Sequence, residues 1–351
     1  MMNKYFAAID TKSDEISAVA SRWRDPGSCV LEGFCRVRCK GFKKGMVADA
    51  AEAANSIATV LDKLMRKTGK NIQNVYATIS SESVNVMPSS GVVLLSKYGR
   101  EVTETDIKRC IEVGSTIKIG LDKEPLHKIV KDFYIDDEKG IRNPLNLEGV
   151  KLGVDINIVT INSSVLRNMA KCIAQAGFVP AGFVFSGLAV GYRILSDEDN
   201  FKTVVFLNIC KSVTEVMVFS RGILSESIVV SMGANDFYSQ TNEFEKCKVE
   251  SFFIAITKLK EWKKNNKVII LGEGSFMDDL LDFAEKFFKL PVFPGICHVR
   301  TFEELPPERA CYAGSLGVLN HIEKENIWRH GNTGFIKASI NNMLRFMDHY
   351  F

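Results

Sequence analysis

Two turns hold the side chains best placed to do chemistry. One runs Asp10-Thr11-Lys12-Ser13-Asp14 after a short apolar stretch, and the other holds Lys211-Ser212 between Asn208 and Glu215. Each presents a lysine and a serine hydroxyl beside acidic groups, a set suited to meeting charge. Conventional catalysis is not written elsewhere. The five histidines (127, 298, 321, 330, 349) are scattered, and neither Ser80-Ser81 nor Ser89-Ser90 sits in a G-x-S-x-G elbow. Cys210 lies in the second turn with no histidine near it in the chain, so it reads as a buried thiol rather than a nucleophile. The nine cysteines (29, 35, 39, 110, 172, 210, 247, 297, 311) include one close pair, Cys35 and Cys39, with no second pair or histidine to complete a zinc pattern. They are expected to be reduced and mostly packed as small hydrophobes. No catalytic residue and no metal ligand set follows from these residues.

The elements around both turns repeat. Strands are predicted over residues 5–9, 16–23 and 30–38, the last two split by Asp25-Pro26-Gly27. A helix follows, with Asp49 as N-cap, Glu52 at the capping-box position, Ala54, Ile57, Leu61 and Leu64 as its apolar stripe, and Gly69 as its stop. A strand at 75–79 completes the unit. From residue 203 the plan restarts, with strands at 203–208, 215–219 and 223–230, the last after Arg221-Gly222. Two such copies predict a duplicated α/β unit whose turns face each other across a cleft. Between them, residues 80–162 read differently. Strands are expected at 91–95, 128–135 and 150–159, with a helix from Thr103 through Ile107, Ile111 and Ile117 and a turn at Asn143-Pro144-Leu145-Asn146. A helix at 166–176 closes on Gly177.

At 351 residues, with 46% hydrophobic and 25% charged residues and a net charge of +3, the chain has no nucleic-acid footprint. No apolar run reaches bilayer length, and the start MMNKYFAAIDTKSDE has no signal-peptide core, which predicts a cytoplasmic protein. The last seventeen residues are two-faced. At roughly 100° per residue, Phe335, Ile336, Ile340, Met343, Leu344, Phe346, Met347, Tyr350 and Phe351 form one half of a helix. Lys337, Asn341, Asn342, Arg345, Asp348 and His349 form the other, and only Ser339 intrudes on the apolar arc. Such a helix lies either on a bilayer interface or on the chain's own core. With Lys337 and Arg345 set against Asp348, its attraction to anionic lipid is weak, so bilayer binding would rest on the apolar face.

Several segments resemble the bacterial cell-division actin homologue FtsA. Lys40-Gly41-Phe42-Lys43-Lys44-Gly45-Met46-Val47-Ala48-Asp49 is similar to that family's RG-hydrophobic-KKG segment, and Arg100-Glu101-Val102-Thr103 with Asp106 to its REIT..D helix start. The stretch from Ile141-Arg142-Asn143-Pro144-Leu145 through Gly149-Val150-Lys151-Leu152 to Asn157-Ile158-Val159-Thr160 looks like its NPLGMSGVRLEVEVHIVT. Gly233-Ala234, Leu271-Gly272-Glu273-Gly274 and Ala310-Cys311-Tyr312-Ala313-Gly314-Ser315-Leu316-Gly317 match more thinly. The resemblance implies an α/β, actin-like (duplicated ribonuclease-H-like) fold. Residues 1–79 and 163–200 would form domain 1A, 80–162 an inserted 1C (SHS2-type) subdomain, and 201–232 with 268–322 domain 2A. Residues 233–267 would be a shortened 2B remnant, 323–334 a linker and 335–351 the terminal helix. It also implies a protein held by that helix on the cytoplasmic face of the inner membrane. Its implied partners are the FtsZ-like polymer, other division proteins and further copies of itself.

The chain departs from the family at its nucleotide site. There, small-residue hairpins wrap phosphates with inward N–H groups while acidic residues organise Mg²⁺. The family's first hairpin reads like DIGTSK; here it is Asp10-Thr11-Lys12-Ser13-Asp14-Glu15, with lysine in place of the glycine. Its second reads like DIGGGTTD; here Asn208-Ile209-Cys210-Lys211-Ser212-Val213-Thr214-Glu215 has lost all three glycines and the leading aspartate. Side chains at those positions block close backbone approach. The adenosine-side loop keeps Gly272 and Gly274 with Glu273 between them. The degenerate nucleotide set is therefore Asp10, Lys12, Ser13, Asn208, Lys211, Ser212, Gly272 and Gly274, and ATP with Mg²⁺ is not expected. Lys12 and Lys211 either meet across the cleft as replacement counter-charges, or are solvated or paired with Asp10, Asp14 or Glu215 and close an empty cleft. About 34 residues separate Gly233 from the strand at 268–271, room for one helix over 249–264 (Phe252, Phe253, Ile256, Leu259, Trp262) and a basic run at 258–264. A division scaffold without ATP hydrolysis is the leading expectation. A polymerising ATPase and a PilM-like pilus-assembly adaptor are its alternatives.

Overall fold

The computed structural model describes residues 5–25, 28–196, 199, 202–238, 243–264, 267–295 and 309–330. The terminal stretch 335–351 lies outside the described residues.

Lobe one starts with β1 (Tyr5–Thr11), β2 (Glu15–Asp25) and β3 (Ser28–Arg38), followed by the small hairpin β4 (Phe42–Lys43) and β5 (Met46–Val47). Helix α1 (Ala50–Thr68) comes next, begun and ended as its residues dictate. The Asp49 side chain accepts the Glu52 N–H, and Gly69 takes a left-handed φ of 67° so that its N–H reaches Met65 O. Its apolar stripe buries Ala54, Ile57, Leu61 and Leu64 against the sheet. At the outer edge of β3, Lys63 Nζ donates to Arg36 O and Lys67 Nζ to Phe34 O, which occupies carbonyls that would otherwise invite another strand. Strand β6 (Asn74–Ile79) then lies parallel to β1.

The chain leaves the lobe to build an insert: β7 (Asn85–Leu94), β8 (Arg100–Glu101), α2 (Glu104–Gly114), β9 (Lys123–Ile135), β10 (Glu138–Ile141), β11 (Glu148–Gly149) and β12 (Lys151–Asn162). The order β10-β9-β12-β7 makes β7 an edge, where Pro88 can sit opposite Asn157 without costing a ladder bond. The strand expected at 91–95 therefore begins six residues earlier. Helix α2 ends at Gly114, short of Ile117, because it presses onto β7. A Cβ on Gly91 would lie 2.2 Å from Gly114 N. Its start holds the insert's strongest polar knot. Arg100 grips both Asp106 oxygens at 2.6 and 2.7 Å, Thr103 and Asp106 form a capping box, and Arg109 adds a second cation at 3.2 Å.

Helix α3 (Ser163–Gln175), β13 (Val179–Phe185) and α4 (Ser186–Ile194) complete lobe one, whose sheet order is β13-β6-β1-β2-β3. Lobe two repeats it with β14 (Thr203–Ile209), β15 (Thr214–Ser220) and β16 (Ile223–Val230), then α5 (Lys246–Ile256), β17 (Lys267–Gly272), α6 (Asp278–Phe288) and β18 (Val292–Pro294). Its order, β16-β15-β14-β17-β18, is the same plan, with the second and third strands antiparallel and the last three parallel. Helix α7 (Ala313–His330) packs back on α4 and the lobe-one sheet.

In lobe two the helix expected over 249–264 stops at Ile256, and Lys260–Lys264 forms a separate 3₁₀ turn. Glu226 of β16 is the reason: its carboxylate accepts the Lys260 and Glu261 N–H groups and caps a new start. This interval is filled by rings in place of a further sheet. Phe253, wholly buried, lies 4.5 Å from Phe288, 5.4 Å from Phe287 and 5.9 Å from Phe283, and Trp262 lies 4.9 Å from Phe288.

The insert is bolted to both lobes. Asn157 Nδ2 donates to Leu224 O of β16 at 2.8 Å, and the Phe185 N–H of β13 donates to His127 Nε2 at 2.9 Å. His127 also packs edge-on to His321 of α7.

Candidate functional site: the cleft between the lobes

The two turns do meet. Lys12 N–H closes the β1–β2 turn on Glu15 O, and Cys210 N–H closes the β14–β15 turn on Val213 O. Between them, Ser13 Oγ and Ser212 Oγ share a hydrogen bond of 2.9 Å, and Lys211 forms an ion pair with Asp14. Lys44 N–H, from the segment after β4, donates to Ser13 Oγ at 3.2 Å. Of the two lysine arrangements the sequence allows, Lys211 adopts the second: it pairs with Asp14 from the opposite lobe and closes the mouth. Hydrogen bonding to Asp14 holds its ammonium above the usual lysine range.

Lys12 points the other way, into the cleft. Burial works against its charge, but Cys210, Asp10 and Glu273 outweigh burial and raise it above the usual range. Burial also pushes the Cys210 thiol up, so at neutral pH the working counter-charges are the two carboxylates. Cys210 is thus a thiol, as the absence of a neighbouring histidine in the chain predicts.

Deeper in, each aspartate or asparagine at a strand end is spoken for. Asp10 Oδ1 accepts from Thr78 Oγ1 at 2.6 Å, and Asn208 Nδ2 donates to Glu215 Oε2 at 2.9 Å. Burial raises the Glu215 carboxyl above its ordinary range, against the nearby Ser80, Asn208 and Ser186. Ser80 lies close to it, but no bond of normal geometry closes on Glu215 Oε1.

Ser80, Ser186 and Gly314 come from segments that sequence reasoning did not join to the turns, while Glu273 sits in the adenosine-side loop as the sequence places it. Ser80 follows β6, Ser186 opens α4, Glu273 follows β17, and Gly314 begins α7. Gly314 is there because nothing larger fits: a Cβ would lie 2.4 Å from the Asp10 carboxylate. Gly233 serves the second turn in the same way, at 2.3 Å from Cys210 O, while Ala234 and Asn235 N–H groups bond Cys210 O and Lys211 O. The run Ala313-Gly314-Ser315 was the available signal for the first of these. Gly272 lines the cleft at φ 68°. Gly274 does not: it lies underneath, where a Cβ would meet Ile209 at 2.8 Å, and its role is packing the loop onto β14.

The space left has a cavity volume of about 40 Å³. A buried water needs about 10–15 Å³ by this measure, so the cavity suits a few waters. Its polar lining includes Asp10, Lys12, Ser80, Ser186, Glu215 and Glu273. No cluster of three or more histidine, cysteine, aspartate or glutamate side chains placed to hold a metal ion occurs among the described residues. No helix among them is long and apolar enough to cross a membrane.

Comparison with known proteins converges on one group. Residues 81–160 match the family described as the SHS2 domain inserted in FTSA. The cell division protein FtsA of Borreliella burgdorferi is 28% identical over 235 residues, covering 67% of this chain and 57% of the relative. That of Bacillus subtilis is 24% identical over 234 residues, covering 67% and 53%. The chain thus spans a little over half the length of the curated relatives it matches. Among solved structures, the PilM-PilN type IV pilus biogenesis complex aligns with a TM-score of 0.63 at 12% identity, covering 92% of this chain and 98% of the other. The ethanolamine utilization protein EutJ from Carboxydothermus hydrogenoformans aligns with a TM-score of 0.52 at 11% identity, covering 90% and 89%. At such identities these structures speak for the fold alone, and that fold is actin-like with an SHS2 insert, as the resemblance implied.

Proposed function

Because this chain is an FtsA-like protein, we propose that it works as a membrane-attached cell-division adaptor that has given up nucleotide switching. The observation that carries this reading is the closed cleft. ATP with Mg²⁺, which the fold brings to mind, does not suit the residues present. The glycines that would admit phosphates are Lys12, Cys210, Lys211 and Ser212, and Lys211–Asp14 with Ser13–Ser212 bridges the mouth. Asp10 and Glu273 would face phosphate with like charge. A nucleotide pocket is typically several hundred Å³, far above the 40 Å³ here. Closure by side chains makes the two-lobed body a fixed frame rather than a switch.

A frame still needs an anchor and a docking unit. The apolar face of 335–351 is the anchor in this reading, lying in the inner-membrane interface on the cytoplasmic side. Recruitment falls to the SHS2 insert, since the interval 233–267 offers a ring-packed helix rather than a full subdomain. FtsZ-like polymer, other division proteins or further copies of the chain are the partners to test there.

Deleting 335–351, or introducing Phe346→Asp with Met347→Asp, is expected to move the protein from the membrane pellet to the supernatant on cell fractionation. Retention of the truncated protein on the membrane would overturn the anchor. It would favour a pilus-type adaptor held by a membrane partner's peptide.

A further inference from the structure

The end of lobe one remote from the cleft is basic, and the chain leaves the described body there. Helix α7 starts at the cleft, where Ser315 Oγ and Ser17 Oγ bond at 3.2 Å. It runs beside β2 to the start of β3, where Glu323 Oε1 accepts the Cys29 N–H at 2.7 Å. Helix α1 ends beside the same strand, four residues further along, where a Cβ on Gly33 would lie 2.6 Å from Thr68 Cγ2. These elements carry Arg22 and Arg24 on β2 and Arg66, Lys67 and Lys70 at and beyond the last turn of α1. Glu32 joins the groups, 2.5 Å from Arg22 Nε and 4.0 Å from Lys70 Nζ. Arg24, Arg66 and Lys67 are exposed. Five cations thus stand against Glu32, Glu323 and, in the sequence, Asp25.

Only Gly331, Asn332, Thr333 and Gly334 separate the end of α7 from Phe335. Five Cα steps span less than about 20 Å even when fully extended. Wherever the apolar face of 335–351 comes to rest, the end of α7 is held within that distance of it. The terminal stretch itself brings Lys337 and Arg345 against Asp348, little attraction for an anionic surface. Charge near such a surface acts only within about a Debye length, roughly 8–10 Å, so any cations that supply it must be on a part of the body the short tether can bring to the surface, and the exit end is that part.

We propose that the α7 exit end of lobe one, with Arg24, Arg66 and Lys67 at its surface, is a contact for anionic lipid headgroups that works together with the terminal stretch. The proposal rests on the membrane reading above. The short tether sets the geometry and the basic end supplies the charge, so attachment combines an apolar anchor with an electrostatic one.

The test is co-sedimentation of the full chain with phosphatidylcholine vesicles, with and without phosphatidylglycerol. Phosphatidylglycerol is expected to strengthen binding in a salt-sensitive way. Arg24→Glu with Arg66→Glu is expected to weaken binding to the anionic vesicles about tenfold or more, while binding to phosphatidylcholine alone stays as in wild type. The equally exposed pair Lys118→Glu with Lys246→Glu, placed on the insert and lobe two, is expected to leave both unchanged. Wild-type binding of Arg24→Glu/Arg66→Glu to anionic vesicles, or an equal loss in the Lys118→Glu/Lys246→Glu pair, would overturn the surface and leave the anchor standing. A full chain that binds neither vesicle would remove the anchor and this surface with it.

Discussion

Phe253→Ala is expected to destabilise lobe two by about 3–5 kcal/mol, the range for emptying a large buried aromatic site. Phe253 is wholly buried, and three phenylalanines of α6 converge on it at 4.5 to 5.9 Å. A smaller side chain leaves a hole that rings on one rigid helix cannot fill by small shifts. Urea unfolding checks this, and a loss below about 1 kcal/mol would mean that the cluster collapses around the gap. The consequence reaches the cleft, because α5 and α6 back β14 and β17, which carry Asn208 and Gly272.

The second large effect lies in the insert. Asp106→Asn removes a carboxylate that is 5% exposed and held by Arg100, Thr103 and Arg109. Hydrogen bonds to charged groups contribute about 1.5–3 kcal/mol; because Arg100 is partly exposed, about 2 kcal/mol is expected. Hydrogen bonding from Arg100 comes first among the causes that hold the Asp106 carboxyl well below the usual carboxylate range. The sign follows from that direction. The contribution is fully present above the ordinary carboxylate value of about 4 and is lost as pH falls toward the lower folded value. Thermal melting should therefore show a gap between wild type and Asp106→Asn that is constant near neutrality and narrows below about pH 4. A gap that widens with acid would contradict the assignment.

Local signals in the residues carried much of this architecture. Asp49 and Gly69 bound α1 because a cap and a left-handed stop need only their immediate neighbours. The repeated plan was legible because each strand run alternates or buries in a way its own residues declare. What failed were features set from a distance. The helix stop at Ile256 depends on Glu226, which caps Lys260 from thirty-four residues away, and the stop at Gly114 depends on Gly91. The cleft followed the same rule. Its two turns were visible as a Lys-Ser pair repeated, and their meeting was foreseen. Ser80, Ser186 and Gly314 were not, because three separate chain segments bring them in, and none carries a local mark of facing Asp10 or Glu215.

Lys12 illustrates why substitution at a glycine position matters more than the lost glycine alone. A backbone cradle offers N–H groups to an incoming anion; a lysine side chain occupies the space and brings its own charge, balanced here by Asp10 and Glu273. The Lys12 charge is then met without a ligand, and the lobes hold each other through Asp14, Lys211, Ser13 and Ser212.

Isothermal calorimetry of Mg-ATP into the full chain tests that closure most directly. A closed, self-paired cleft predicts no saturable heat up to millimolar nucleotide, with or without Mg²⁺. Saturable binding in the micromolar range would contradict it.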